Sequence, residues 1–403
     1  MWWGRRARAP GKKETALRVV HRRLLLAGVV ATCVGGAAAF PVLAADSDSL
    51  VEVTAAQGTP VPGQYIVTLK AGASTDAAAK KVDAAGVKRF DGVLNGFSAR
   101  LNGDQLGELR RDSRVAAIEQ DQIISIDGTQ RAPLPWGLDR IDQRSRTYSK
   151  TYTYKSTGSG VNAYVIDTGL DVAHKDFGGR ASIAWTAPRF NGDGRDCNGH
   201  GTHVAGTIGA KTYGVAKGVR LRALRVLDCN GDGSVSDLVA AVQWLRTNAA
   251  KPAVANLSLG GPKSAALNTA VTNLSKSGVF VTVAAGNSNA DACKFSPSGA
   301  GWVMAVGATT KYDNRATFSN WGPCVDINAP GYGIYSTWPG GGHKGLTGTS
   351  MAAPHVSGVA ALYLSTHKSA TFPQVQKWLN DNSTRSLKRL RKQANRLVYK
   401  AKL

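Results

Sequence analysis

Acidic residues are scarce in this chain: 27 Asp and Glu stand against 50 Lys and Arg over 403 residues, and no glutamate follows Glu119. Charged residues amount to only 19% while hydrophobic ones reach 43%, which excludes a chain disordered throughout. The 46 glycines exceed the ordinary share but fall far short of one in three, so collagen is excluded, and such a composition does not suit a coiled coil. No His/Cys cluster has structural zinc spacing. The net charge of +23 invites a nucleic-acid or anionic-membrane partner, yet no RNA- or DNA-binding motif and no basic-aromatic platform accompanies it. Long apolar runs are also missing, with one exception between Leu24 and Phe40.

The charge is unevenly spread. The first 45 residues hold eight bases and one acid, residues 46–128 hold nine bases and twelve acids, and the remainder holds 33 bases and 14 acids, all aspartate. Such blocks suggest processing rather than one basic surface. Basic residues to Arg23, the apolar run, and Val42-Leu43-Ala44-Ala45 form the pattern of an export signal over residues 1–45. A membrane anchor is the alternative, but Gly28, Gly35, Gly36 and Pro41 make a poor permanent span. Outside the signal four cysteines remain, Cys197, Cys229, Cys293 and Cys324, an even number that in an exported chain points to disulfides with three pairings open.

Residues 63–127 predict strand, helix, strand, helix, strand: Gln64–Leu69, Thr75–Ala85 stopped by Gly86, Val93–Leu101, Asp104–Arg111 and Ala116–Ile126. That order suits a small α+β domain of ferredoxin-like type. From Thr157 onward apolar strands alternate with helices, the signature of an α/β, doubly wound, mostly parallel sheet, in which working residues gather at the carboxyl ends of strands.

Three segments fall at such positions. The strand Gly160–Ile166 runs into Asp167-Thr168-Gly169, where Asp167 is either a turn or capping residue or a partly buried carboxylate in need of a donor. In Asn198-Gly199-His200-Gly201-Thr202-His203 two glycines flank His200; metal ligation with His203 lacks a third ligand, and an imidazole oriented by a carboxylate is the stronger reading. In Gly348-Thr349-Ser350-Met351-Ala352-Ala353-Pro354-His355, Ser350 suits a helix N-cap, and equally a nucleophile beside free N–H groups and the positive end of a helix dipole.

With Asp, His and Ser in this order, the chain resembles subtilisin-like serine proteases of the proteinase K and aqualysin branch, over nearly its whole length. Pro135-Trp136-Gly137-Leu138-Asp139 looks like the start of a mature enzyme. The resemblance implies Ser350 as nucleophile, His200 as general base and Asp167 as orienter of the imidazole. It implies Asn287, in Ala284-Ala285-Gly286-Asn287, as oxyanion donor, and a substrate cleft edged by Gly231, Gly233, Ser258, Leu259, Gly260, Ala284, Ala285 and Gly286. Those walls are uncharged, so broad specificity with apolar or aromatic P1 residues is expected. The same comparison pairs Cys197 with Cys229 and Cys293 with Cys324, and implies structural Ca2+ held by Asp326 and the carbonyls of Gly301 and Val303. No organic cofactor is implied.

Residues 46–128 then resemble an inhibitory propeptide and folding template, its tail led into the cleft and cut near Gly128 or Thr129, ahead of a peptidase domain at 129–403. A secreted, self-processing, monomeric endopeptidase acting on proteins and peptides follows, with its own propeptide as partner, no nucleic acid and no stable membrane anchor. One segment departs from the family: Arg385-Ser386-Leu387-Lys388-Arg389-Leu390-Arg391-Lys392 replaces an expected Gly/Pro-rich loop, and a basic helix is one form open to it.

Overall fold

A computed structural model describes residues 50–56, 60–90, 95–122, 128–130 and 135–403. The export segment expected at 1–45 and the junction strand expected at 123–127 lie outside the described residues. The chain divides into two compact units between Ile123 and Ile124.

The first unit is a five-stranded sheet with two helices. Pro60–Leu69 lies between Val115–Gln122 and Gly96–Arg100, antiparallel to both. The helices Thr75–Lys81 and Gly103–Arg110 start at Ser74 and Asn102, whose side chains accept from Ala77 N and Gln105 N. Val67, Phe97, Ala99, Leu109 and Ile118 close its core without exposure. Two expectations are corrected here. The first helix ends at Lys81 rather than Ala85, and Ala85–Arg89 forms an additional strand at the sheet edge. That strand reads Ala-Gly-Val-Lys-Arg, and all but Val87 are exposed, so it offers no periodicity to detect.

The second unit is built on seven parallel strands: β1 (Asn162–Asp167), β2 (Ala181–Thr186), β3 (Arg220–Arg225), β4 (Ala253–Leu257), β5 (Phe280–Ala284), β6 (Met304–Thr309) and β7 (Ile327–Pro330). Their order across the sheet is β7-β6-β5-β4-β1-β3-β2. From β1 the chain builds β2 and β3 on one side and then β4 to β7 on the other, so the connections diverge at β1 and open a crevice at its carboxyl end.

Every residue of β1 is buried, as a central strand covered on both faces requires. Ala163 and Val165 face helices α1 (His200–Gly209) and α4 (Thr349–Thr366). Tyr164 and Ile166 face α2 (Val235–Asn248) and α3 (Ala265–Lys276). Each aliphatic side chain so buried contributes about 1.5–3 kcal/mol. Helix α4 is apolar around nearly its whole circumference, as a helix enclosed by protein must be. Disulfides join Cys197 to Cys229 and Cys293 to Cys324, closing loops of 32 and 31 residues; loops of that size stabilise by about 3–4 kcal/mol each in the chain-entropy account.

The segment after helix α5 (Phe372–Asn382) is not a helix. Thr384 pairs with Leu397, Lys388 with Asn314 and Asn328 with Leu397, so the chain runs as an irregular strap along the β7 side of the sheet. A buried ion pair holds it: Arg140 meets Asp313 at 2.7 Å, and Ser386 Oγ donates to the same carboxylate at 2.6 Å.

Candidate active site

The site grows out of the end of β1. Asp167 is fully buried, and its Oδ1 accepts from His200 Nδ1 at 2.7 Å and from Thr168 N at 2.8 Å. A carboxylate carried out of water is costly unless donors meet it; both donors meet Oδ1, and Oδ2 is buried without a partner among the described residues. His200 opens helix α1, with a quarter of its side chain exposed. The approach of that helix to the strand depends on Gly201, where a Cβ would stand 2.2 Å from the carbonyl oxygen of Gly169.

A second carboxylate assembles the loop between strand and helix. Asp196 is buried and has no ion pair among the described residues; its Oδ1 accepts from Thr168 Oγ1, Asn198 N and Gly199 N, and its Oδ2 from Thr202 N and Thr202 Oγ1, at 2.6–3.1 Å. Thr168 Oγ1 in turn accepts from Gly201 N at 2.9 Å. Burial pulls the His200 pKa down, but the charge and hydrogen bond of Asp167, with the charge of Asp196 behind them, outweigh it and hold the imidazole above its ordinary 6.5.

Ser350 is the second residue of α4, and its carbonyl accepts from Ser258 Oγ at 2.7 Å. Ser258 belongs to a buried polar set: Asn256 Nδ2 donates to Ser258 Oγ at 2.8 Å, and Ser357 Oγ donates to Asn256 Oδ1 at 2.9 Å. Asn287 stands just beyond β5. Its Oδ1 accepts from both Thr349 N and Thr349 Oγ1 at 2.9 Å, so the amide is oriented with Nδ2 left to donate elsewhere. An oriented side-chain N–H beside a helix N-terminus is the arrangement that stabilises a developing oxyanion.

All of these open on one cleft of about 770 Å3, lined by Thr168, His200, Asn287, Thr349 and Ser350. Gly231, Gly233, Ser258, Leu259, Gly260, Ala284, Ala285 and Gly286 line it as well, so every residue expected at the substrate edges falls in one place. Asp232 is the single carboxylate among the lining residues, and it is exposed. Cys197–Cys229 ties the His200 loop to the Asn230–Gly233 edge, where Asn198 Nδ2 also donates to Cys229 O at 2.9 Å. Chemically, such an arrangement can take a proton from a hydroxyl, hold the resulting imidazolium against a buried carboxylate, and receive an oxyanion.

The Subtilase family pattern matches residues 158–398, more than half of the chain. The chain belongs to the subtilase family. It is a serine endopeptidase of that family, and residues 64–127 match the Peptidase inhibitor I9 family. The subtilase is 50% identical over 316 residues to alkaline serine exoprotease A of Vibrio alginolyticus, covering 77% of this chain and 59% of that protein's length. It is 51% identical over 290 residues to an extracellular serine proteinase of a Thermus species, covering 72% of this chain and 70% of that one. Proteinase R of Parengyodontium album is 44% identical over 325 residues, 78% of this chain and 82% of that one. A crystal structure of a cold adapted subtilisin-like serine proteinase superposes with a TM-score of 0.65 at 49% identity, covering 66% of this subtilase and 98% of that chain.

His203, the second histidine of the motif, is buried away from the cleft. Burial lowers it to about 4, and its Nε2 lies 2.9 Å from the carbonyl of Ile334, so it is a packing residue and no metal ligand. Asp196 and Thr349 were not legible in advance: both act by orienting other side chains, and no spacing rule marks that. Because His200 must be neutral to accept a proton, its raised pKa sets the acid limit of activity. The acid limb of kcat/KM is expected to have its midpoint above 6.5, with activity rising as pH rises through it; a midpoint below 6.5 contradicts this.

Proposed function

We propose that the chain is an exported subtilase that matures by cutting itself and cleaves proteins after large apolar or aromatic residues, as a monomer. The observation that carries the reading is the 2.7 Å contact between Asp167 and His200 in a cleft shared with Ser350 and Asn287. In this mechanism Ser350 Oγ attacks the peptide carbonyl as His200 takes its proton, and Asp167 holds the imidazole ring and steadies its positive charge. The tetrahedral oxyanion is met by Asn287 Nδ2, a contribution of about 3–4 kcal/mol to the barrier. His200 then returns the proton to the leaving amine, an acyl-enzyme remains on Ser350, and water repeats the sequence to release the acid.

Export is supported by the signal-like residues 1–45, by two disulfides and by relatives named as extracellular. No helix among the described residues is long and apolar enough to cross a membrane. Residues 46–128, of which 64–127 match the Peptidase inhibitor I9 family, serve in this reading as folding template and inhibitor, released by cleavage near Gly128 or Thr129. Wild type is expected to yield a mature band that reacts with a serine-directed fluorophosphonate, and Ser350→Ala an uncut, unlabelled precursor. Normal maturation of Ser350→Ala without added protease would overturn self-processing.

The P1 preference rests on uncharged walls at Ser258, Leu259, Gly260, Ala284, Ala285 and Gly286. A peptide library is expected to favour Phe, Tyr, Leu and Met at P1; dominance of Lys or Arg there would sink this part.

We propose structural calcium held by Asp326 and the carbonyls of Gly301 and Val303. Asp326, Gly301 and Val303 line a cavity of about 200 Å3 that has no basic side chain in its lining. Burial pushes the Asp326 carboxyl up to about 6 although Ala305 N donates to its Oδ2 at 2.8 Å, so a cation would return it to the charged form. A carboxylate with two carbonyls is a hard oxygen set. No group of three His, Cys, Asp or Glu side chains with the arrangement of a metal site occurs among the described residues, so this site would rest on backbone oxygens. Bound calcium would tie the Gly301–Val303 loop to the Cys324–Asp326 segment. Chelation is expected to speed thermal inactivation of wild type and to leave Asp326→Asn unaffected; a wild type indifferent to chelator would remove the site.

A further inference from the structure

The mechanism uses none of the eight bases between Arg385 and Lys402. Two of them have structural employment: Arg396 Nη1 donates to the carbonyl of Asp326 at 3.3 Å, and buried Lys400 pairs with Asp142 at 2.9 Å. The five in the strap are different. Arg385, Lys388, Arg389, Arg391 and Lys392 are all exposed, and none has an ion pair or a side-chain hydrogen bond among the described residues. Only Arg391 touches anything by its charge, lying 6.0 Å over the Trp321 ring. The neighbouring acid, Asp313, is buried and taken up by Arg140 and Ser386.

These cations are nonetheless held in place by their backbone. Lys388 N donates to Asp313 O at 2.9 Å, Arg315 N to Lys388 O at 3.1 Å, and Gly322 N to Arg391 O at 3.1 Å. Leu387 and Gln393 are buried at either side and fix the strap to the body. Two of the five occupy left-handed backbone, Arg389 at φ 58° and Lys392 at φ 57°. Glycine or asparagine is at home there, and a long cation adopts that conformation at a cost that no ion pair or side-chain hydrogen bond among the described residues offsets. Free charge, a pinned backbone and tolerated strain together describe a surface kept for a ligand rather than for the fold.

We propose that residues 385–392 form a binding face for a linear acidic polysaccharide, whose sulfate or carboxylate groups the five cations engage together. Exposed cations each attract such a group weakly at physiological ionic strength, and a polymer engages several at once. A membrane is the poorer fit because the strap exposes no apolar side chain: Leu387 is buried and Leu390 partly so. Nucleic acid is the poorer fit because the strap carries no aromatic residue for base stacking. Such a face would hold the secreted protein on an acidic glycan matrix without touching its cleft.

The test uses the mature protein on immobilised heparin and on polygalacturonate at 0.15 M salt, with double-stranded DNA and anionic phospholipid vesicles as further arms. Replacing Arg385, Lys388, Arg389, Arg391 and Lys392 by serine is expected to weaken glycan binding about tenfold or more. A control that removes five unpaired exposed cations elsewhere, Lys175, Lys211, Arg246, Lys263 and Lys368, is expected to bind within about twofold of wild type. Peptide turnover should be the same in all three. The pair R389G/K392G guards against misfolding, because it should raise thermal stability while lowering glycan affinity. Equal losses in the control and strap variants would reduce the effect to net charge and overturn the proposal. So would undiminished glycan binding by the strap variants, or a preference for DNA or vesicles that depends on the same five residues.

Discussion

A carboxylate with no exposure to water, set at the end of a central strand, is the constraint around which the second unit is arranged. A buried carboxylate is costly unless donors reach it, and those that meet Asp167 Oδ1 are the next backbone N–H and the ring of His200. For that ring to arrive, α1 must begin almost against the strand, which Gly201 permits and the Asp196 node enforces. Asp196 is itself a buried carboxylate with no ion pair among the described residues, satisfied by five hydrogen bonds from Thr168 and the 198–202 turn. One costly group is thus made tolerable by a second, and the geometry between them is left with little freedom.

The same economy governs the other side of the cleft. Thr349 gives both its N–H and its hydroxyl to Asn287, and Ser258 secures the carbonyl of Ser350 from a polar cluster that lies inside the protein. None of these groups reacts in the proposed chemistry. They set which atom of an amide faces the cleft and where a helix begins, and polar networks of this kind specify position more than they add stability.

Much of this was legible in the residues. Continuous apolar strands ending in Asp167 and Ala284, glycine-flanked His200, and Ser350 at a helix start after Gly348 announce a parallel sheet with polar groups at its carboxyl edge. What stayed hidden shares a physical cause. The strand Ala85–Arg89 holds its place through edge pairing with Gly96–Arg100, with scarcely any apolar pattern of its own. The strap at 385–392 could be drawn as a basic helix from composition, but Leu387 is drawn into the core, Lys388 pairs with Asn314, and two left-handed residues break any helical path. Asp196 and Thr349 orient other groups, and orientation leaves no trace in one-dimensional spacing.

The strand order has a consequence in time. Asp167 and His200 come from the early part of the second unit, while Ser350 heads a helix near the end of the chain that packs under β4, β5 and β6. A ribosome that has delivered the first two has not yet made the third, and α4 can settle only on strands that are already in place. The hazard of synthesising a protein-cutting enzyme is therefore deferred until the helix that carries Ser350 has been made and has docked on the sheet.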